Sequence, residues 1–386
     1  MQRRGQGEGL RCVGWTDLNG KGDGSQIQVK YVAEGGGRRF AYVAHMGDSG
    51  TALSVVDATD PASPEVVHQV PTPTPATHCH KVQVRGDLLV MNCEKRPRVE
   101  GEFVAGIRIY DLRDPGNPRL IRFFPTGGIG VHRMWLGDGI LHAASGFPGY
   151  DDQIYLILDL HDPERPRLLG KWAIPQEWKQ ERGGIPRRYR VHHIIPDGSR
   201  AYVACWDAGM AILDISDLAS PRVVGYFRWS PPYGGATHTV LPLRERGIAV
   251  VTEEAMADLC QEPRKHVWIV DIREEENPIP IATCPVPEGE YCKAGGRFGP
   301  HNLHENYPGA AQFTDRIFVT YYNAGLRVFD LRNPYRPEEV AWFIPETPVG
   351  TPKGAPQVND VYVDQEGLVY MTDRHTGGLY ILESYV

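Results

Sequence analysis

A motif that recurs about every 50 residues is the strongest constraint on how this chain can fold. Six segments each contain an apolar stretch, an acidic residue, a polar corner and a second apolar stretch. They are SVVDATDPASPEVV (54–67), RIYDLRDPGNPRLI (108–121), LILDLHDPERPRLL (156–169), AILDISDLASPRVV (211–224), WIVDIREEENPIPI (268–281) and RVFDLRNPYRPEEV (327–340). LYILES near the C-terminus is a shortened seventh copy. A period of about 50 residues indicates a repeat architecture.

Each repeat contains four short β-type segments. Two of them flank the polar corner, where Asp and Pro favour a tight turn. A further pair precedes the motif, as in HKVQV followed by LLVMN (80–84 and 88–92). Seven four-stranded units are typical of a β-propeller, in which blades are arranged radially. The sequence therefore predicts an all-β fold, a seven-bladed β-propeller that forms one domain over residues 1–386.

The repeat resembles that of the LVIVD-repeat β-propellers over nearly the whole chain. A family defined by this repeat implies a propeller fold and no particular reaction. The segments THCHKV (77–82), CWDAGMAILDISDLASPRVVGY (205–226) and VTEEAMAD (251–258) are also similar, more distantly, to the selenium-binding or methanethiol oxidase propellers. That copper-linked family implies a His-ligated metal on the propeller axis. Its N-terminal redox Cys motif is not matched, because Cys12 falls in a predicted strand.

The N-terminal segment LRCVGWT (10–16) matches the outermost strand of other repeats. PRLLGKW (166–172) and PRVVGYF (221–227) have the same pattern. The last repeat ends at Val386, soon after its third strand, and has no such segment of its own. We therefore expect residues 10–16 to complete the seventh blade, which would leave no blade edge unpaired.

Charge and composition exclude several classes of partner. The formal net charge is −7 and no long basic run occurs, which argues against nucleic acid and membrane as partners. The sequence contains no run of 18 apolar residues, so no membrane-spanning segment is predicted. The N-terminus has no apolar stretch of the secretory type, and the seven cysteines are scattered. These features favour reduced thiols and a cytoplasmic protein, and they leave the oligomeric state open.

Histidines open the first strand of most repeats. His80, His132, His193, His238 and His301 hold this position in repeats two to six, and Asp360 holds it in repeat seven. First strands line the central channel of a propeller, so these side chains should converge on its axis. Neutral imidazoles are good metal ligands, and we expect three or four of the five histidines to bind one metal ion. Asp360 is expected to act as a further ligand or as the partner that fixes the tautomer of a ligand histidine. Alternatively, each imidazole could simply hydrogen-bond a neighbouring blade.

Loops that follow the second strands should reach the same face of the ring. They supply Glu94, Glu254 and His375 as candidates for acid–base catalysis or for orienting ligand histidines. His78, His192 and His304 lie one to three residues from the predicted ligands. We expect these three side chains to face substrate or to support the ligands.

Imidazole ligation is compatible with several metals, so the cofactor is predicted as one transition metal, with Fe(II) or Cu favoured and Zn possible. The predicted function is that of a metal-dependent oxidoreductase, an oxygenase or oxidase, acting on a small organic molecule. One alternative is a hydrolase or lyase that uses metal-activated water at the same site. Another is a non-catalytic propeller that serves as an interaction scaffold. No dinucleotide-binding, P-loop or nucleophile-elbow motif occurs.

Overall fold

Seven antiparallel β-sheets follow one another around a central channel in the computed structural model, which describes residues 4–33, 37–179, 187–230 and 232–386. The predicted seven-bladed β-propeller is therefore confirmed. The inner strand of blade one contacts those of blades two and seven, and the backbone N–H of Ile27 in blade one donates to Asp360 in blade seven at 2.9 Å. The first and last blades thus meet, and the ring is closed.

Four blades contain four consecutive strands in chain order. Blade one has Gly24–Val32, Arg38–His45, Thr51–Asp57 and Glu65–Pro71, and blade three has Val131–Leu136, Ile140–Ser145, Ile154–Asp159 and Arg167–Trp172. Blade four has His193–Asp197, Arg200–Ala204, Met210–Asp214 and Arg222–Phe227, and blade five has Thr237–Leu243, Ile248–Glu253, Val267–Asp271 and Ile279–Thr283.

The other blades depart from this pattern at their inner or outer edge. Blade two has a divided inner strand and comprises Thr77–His78, Val82–Arg85, Leu88–Lys95, Gly106–Asp111 and Arg119–Pro125. Blade six has Arg316–Thr320, Leu326–Asp330, Glu338–Pro345 and the N-terminal Gly5–Glu8. Blade seven has Val358–Val363, Val369–Asp373, Leu379–Ser384 and the N-terminal Leu10–Thr16. Short helical turns occupy Gln176–Trp178, Arg244–Arg246 and Tyr291–Ala294.

The N-terminal segment closes the ring as predicted and also extends a second blade. Leu10–Thr16 pairs antiparallel with Leu379–Ser384, which confirms the expected closing strand. Gly5–Glu8 pairs with Glu338–Pro345 on the outer edge of blade six, a contact that the repeat pattern did not predict. One N-terminal segment therefore covers the outer edges of two neighbouring blades.

The acidic residue of each repeat holds its own corner. The carboxylate of Asp57 accepts the N–H of Thr59 at 2.9 Å, and Asp214 accepts the N–H of Ser216 at the same distance. The same bond to the residue two positions later recurs at 2.7–3.0 Å in the repeats of Asp111, Asp159, Asp271 and Asp330. This is an Asx turn, which explains why an aspartate recurs at that position.

A glycine in the outer strand allows neighbouring blades to approach closely. A Cβ atom on Gly14, Gly170 or Gly225 would lie only 1.7–1.9 Å from a backbone carbonyl oxygen in the corner of an adjacent blade. A side chain is therefore excluded there. The shared glycine in LRCVGWT, PRLLGKW and PRVVGYF thus reflects blade-to-blade packing.

The expectation of reduced thiols is wrong at two positions. Cys260 and Cys292 form a disulfide, which joins the insertion of blade five to the segment that leads into blade six. They lie 32 residues apart in sequence, so spacing alone gave no signal of the pairing. No helix in the described parts of the chain is long and apolar enough to cross a membrane.

We predict that Gly225→Ala lowers the free energy of unfolding by about 1–3 kcal/mol, because the new methyl group would collide with the Glu275 carbonyl oxygen at 1.7 Å. Gly137→Ala is the matched control, since its Cβ would meet its nearest neighbour at an ordinary 3.6 Å. Urea unfolding of both variants would measure the difference. Equal stabilities would contradict the packing role of the outer-strand glycine.

Candidate metal centre

An extra residue at the start of the inner strand directs a side chain to the channel axis in several blades. The pairing register shifts between Val131 and Arg133 and again between Thr237 and Thr239, so His132 and His238 are the inserted residues. A bulge of this kind re-aims a side chain. In blade two the corresponding residue, His80, lies in the break between the two parts of the inner strand.

These side chains form a continuous arc of imidazoles, which we call the histidine arc. Its members are the buried His78, His80, His192, His238 and His301 and the half-buried His132. The ring centroids of consecutive members are 3.9–5.0 Å apart. The structure thus brings together four of the five predicted ligand histidines. It also adds His78 and His192, which the sequence analysis had placed beside the ligands.

His193 does not belong to the histidine arc, so its predicted convergence with the other four is wrong. Ala204 is the register partner of His193, and its carbonyl also accepts the N–H of His192 at 2.8 Å. His192 is therefore the inserted residue of blade four. A shift of one residue moves a side chain to another layer. His193 Nε2 instead lies 2.8 Å from Glu305 Oε2.

Asp360 is displaced from the arc in the same way. Blade seven shifts register between Val358 and Asp360, so that Asn359 is the inserted residue. The Asp360 carboxylate accepts the backbone N–H of Ile27 at 2.9 Å, and burial raises its pKa to about 7. A role for Asp360 as a direct metal ligand is therefore not supported by its position.

Hydrogen bonds at Nδ1 determine which nitrogen of each imidazole faces the cavity. Two members of the arc place Nδ1 against backbone carbonyl oxygens: His192 at 2.9 Å from the oxygen of His238, and His301 at 2.8 Å from that of Asn359. His132 Nδ1 lies 2.9 Å from Glu94 Oε1. Because carbonyl and carboxylate oxygens accept, these Nδ1 atoms carry the proton and each Nε2 presents a lone pair. Metal-binding histidines are commonly oriented in this way.

The lone pairs of two arc histidines, His132 and His192, point toward one another over a short distance. His132 Nε2 and His192 Nε2 are 2.9 Å apart. Burial, together with the nearby Arg190 guanidinium, lowers the pKa of both imidazoles well below its usual range, so both are neutral. Two nitrogen ligands at about 2.0–2.1 Å from one metal ion would lie about 3 Å apart when adjacent in its coordination sphere. The residues present therefore fit a metal ion between these two nitrogens.

Carboxylates stand at both ends of the arc. Each forms a group of two imidazoles and one carboxylate whose ligand atoms all lie within 4.8 Å: His78 and His80 with Glu94, and His192 and His238 with Glu254. His78 Nδ1 is 3.3 Å from Glu94 Oε1 without an aligned hydrogen bond. Its other nitrogen is also buried without a partner among the described residues.

Glu254 is ionised in the folded protein. It accepts hydrogen bonds from the Tyr322 hydroxyl at 2.9 Å and from Arg297 at 3.0 Å. Although burial opposes ionisation, electrostatic interactions with His301, Arg297 and Arg374 lower the pKa of Glu254 to about 2. Its oxygens lie 3.7 Å from His301 Nε2 and 3.9 Å from His238 Nε2, close to the arc.

His375 stands apart from the two predicted catalytic glutamates. Glu94 and Glu254 both line the cavity over the arc, whereas His375 is not among the residues lining it. The backbone N–H of His375 donates to Asp373 at 2.9 Å. The structure thus provides no contact that would give His375 a catalytic role.

The layer below the arc is a buried ionic network, which we call the channel floor. Arg133 donates to Asn302 at 2.5 Å and also to Glu305, and Glu305 pairs with His193. Burial opposes ionisation of Glu305, but His193 and Arg133 lower its pKa to about 2. None of these four side chains lines the cavity, so the network closes the channel beneath the arc.

Above the arc lies a cavity of about 450 Å³. Its wall contains all six members of the arc, Glu94 and Glu254. A larger depression of about 770 Å³ lies elsewhere, lined by Arg200 and Glu275, which form an ion pair at 2.7 Å. That depression contains no histidine, so the cavity over the arc is the candidate site for chemistry.

Two aromatic side chains are held against the arc by strained backbone. Trp206 and Tyr322 have φ angles of 52° and 47°, a left-handed conformation that is uncommon for non-glycine residues. Their rings lie 4.9 Å from those of His192 and His301, respectively. The similar segments CWDAG (205–209) and YYNAG (321–325) carry this feature in the sequence. The sequence analysis did not use that similarity.

We predict that Glu305→Gln lowers the free energy of unfolding by about 3–5 kcal/mol, because it leaves the buried Arg133 without its anionic partner. Asp138→Asn is the control: Asp138 pairs with Arg85 on the exposed surface, and its loss should cost less than about 1 kcal/mol. Chemical denaturation would compare the two variants. A small effect at Glu305 would show that the channel floor does not stabilise the ring.

Comparisons with known proteins agree with this architecture. The LVIVD repeat model matches residues 36–72 and 197–228, so the chain carries LVIVD repeats. No curated protein sequence matches the chain.

Several solved structures are similar at low sequence identity. The β-propeller domain of Cps50 (Swd1) from Myceliophteria thermophila has 11% identity and a TM-score of 0.59, over 94% of this chain and 97% of that one. The N-terminal domain of Nup159 has 12% identity and a TM-score of 0.57, over 97% and 95%. A hypothetical selenium-binding protein from Sulfolobus tokodaii has 14% identity and a TM-score of 0.51, over 86% and 87%. At such identities these similarities establish the fold alone.

Proposed function

We propose that the protein is a metal-dependent oxidoreductase, of oxygenase or oxidase type, that holds a transition metal in the histidine arc. The observation that carries this proposal is the opposition of His132 Nε2 and His192 Nε2 at 2.9 Å. Two lone pairs at that distance repel one another unless a proton or a metal ion lies between them. Burial disfavours the proton, and the fixed Nδ1–H groups favour the metal.

The donor set supports iron or copper as that metal. Two imidazoles and one carboxylate, the composition found at each end of the arc, are typical of non-haem Fe(II) oxygenases. An imidazole-rich site also suits Cu and Zn. The similarity to a protein named as selenium-binding agrees with the sequence resemblance that suggested copper. When bound, iron or copper would supply one-electron chemistry that none of these side chains can provide.

The surrounding side chains have defined tasks in this proposal. Glu94 fixes the orientation of His132 through its hydrogen bond at 2.9 Å. Glu254, ionised and close to His238 and His301, can complete the metal site or accept a proton from a substrate. Tyr322 donates to Glu254 and stacks on His301, which holds both side chains in place.

We predict that His132→Ala and His192→Ala each lower metal content at least about tenfold, since removal of a true ligand strongly weakens binding. His161→Ala is the control, because that imidazole is exposed in an outer corner. His193→Gln should retain metal, because His192 and not His193 is the member of the histidine arc in blade four. Mass spectrometry of all first-row metals, in protein purified without added metal, would measure occupancy per folded molecule.

The same measurements distinguish the alternatives. Full metal content in both His132→Ala and His192→Ala would contradict the proposed site. Zinc as the native metal would instead indicate a hydrolase or lyase, and a metal-free native protein would favour a non-catalytic scaffold. Oxygen consumption with candidate substrates, lost on chelation and restored by Fe(II) or Cu, would support the oxidoreductase.

A further inference from the structure

We infer that the substrate is a small organic anion, bound in the cavity over the histidine arc by Arg190 and Arg374. The identification of this ligand as a substrate rests on the proposed function. The inference that the cavity binds anions rests on different residues and does not require a metal.

Arg190 is a buried cation without a carboxylate partner. Only 6% of the residue is exposed, and it lines the cavity. Its guanidinium lies over the Trp206 ring at 4.2 Å and donates to Gln153 at 3.0 Å, while its Nε has no partner in the part of the chain that the structure describes. No carboxylate of the described residues lies within 4.0 Å. Burying a cation that has no carboxylate in direct contact is costly, so a ligand should supply the missing partner.

Arg374 provides a second such group on blade seven. Its guanidinium contacts the Tyr322 hydroxyl at 3.4 Å and Met46 Sδ at 3.9 Å. It too has no carboxylate within 4.0 Å among the described residues, and its charge acts on Glu254 only from a greater distance. Other arginines of the cavity wall are neutralised: Arg297 pairs with Glu254 at 3.0 Å, and Arg188 pairs with Asp152 at 2.6 Å. The absence of ion pairs thus distinguishes Arg190 and Arg374 from these neighbours.

Arg190 and Arg374 are both held by an aromatic side chain that contacts the histidine arc. Arg190 stacks on Trp206 and Arg374 contacts Tyr322, the two aromatic residues whose strained backbone holds them against the arc. A guanidinium fixed on an aromatic ring loses little freedom when it binds, and it offers paired N–H donors to a carboxylate, sulfonate or phosphate. Strained backbone is therefore used at two points of the ring to hold a cation beside an arc imidazole.

The charge of the whole cavity favours the same kind of ligand. Eight lysines and arginines line it against three acidic residues, although the chain as a whole carries a net charge of −7. A local excess of positive charge in a concave site attracts anions and raises their local concentration. A bound metal ion would add further positive charge.

The size and lining of the cavity indicate an organic anion. About 450 Å³ is a volume typical of sites that bind small molecules. Met46, Ile129 and Met256 provide apolar surface in the wall. The inferred ligand therefore has an anionic group for the two arginines and an apolar body for these side chains.

Benzoate and benzamide form a matched pair of probes, since they share a ring and differ in charge. Calorimetric titration of the metal-loaded protein should show benzoate binding at least about tenfold more tightly than benzamide, because charged hydrogen bonds are the stronger ones. Arg190→Met and Arg374→Met should each weaken benzoate binding by about tenfold or more. Arg165→Met, an exposed cation outside the cavity, should change nothing. Inorganic phosphate and sulfate would be titrated in parallel.

The outcomes separate this inference from the proposed function, because metal content is measured on every sample. Benzoate binding that persists after chelation and still depends on the arginines would support the anion site without the metal. Binding that disappears on chelation but is unchanged in both arginine variants would mean that anions bind the metal alone, which would overturn the inference. Failure of benzoate, phosphate and sulfate to bind would also overturn it. If Arg190→Met does not fold, Arg190→Lys, which should retain part of the affinity, takes its place.

Discussion

The candidate site depends on one backbone irregularity that recurs from blade to blade. At the start of the inner strand an inserted residue, such as His132 or His238, interrupts the regular pairing and directs its side chain to the axis. Ring closure then brings successive imidazoles together. The fold itself does not require histidine there, because Ser25 and Asn359 lie at the openings of the inner strands in blades one and seven. The fold alone therefore does not account for the imidazoles, which supports the proposed metal site.

The sequence correctly predicts those parts of the structure that depend on contacts between residues close together in the chain. The corner turn joins residues only two positions apart, as in Asp57 and Thr59, so it repeats visibly along the chain. The position of a bulge has no such signature. In VHHII (191–195) either histidine could open the strand, and the two choices place the side chain in different layers. Alignment on the preceding valine, as in VHRMW (131–135), would have selected His192.

The sequence did not predict that Arg190 and Arg374 lie in one cavity, because the two residues come from different positions in their repeats. Arg190 precedes the first strand of blade four, whereas Arg374 follows the second strand of blade seven. They belong to no common repeat position, and only the closed ring brings them to one cavity. Their aromatic supports did leave a signal. CWDAG (205–209) and YYNAG (321–325) occupy equivalent places, and each begins a turn whose second residue has positive φ.

The channel contains buried charges that are paired and buried charges that are not, and we expect ligands to bind beside the unpaired ones. In the channel floor the charge of Arg133 is matched by that of Glu305. In the cavity above it, Arg190 and Arg374 have no carboxylate of the described residues within 4.0 Å, and His132 Nε2 and His192 Nε2 are as far apart as two adjacent ligands of one metal ion would be. A fold whose stability is only about 5–15 kcal/mol cannot carry many such uncompensated groups unless binding partners relieve them. Since a metal cation would raise the positive potential that attracts an organic anion, each ligand should strengthen the binding of the other.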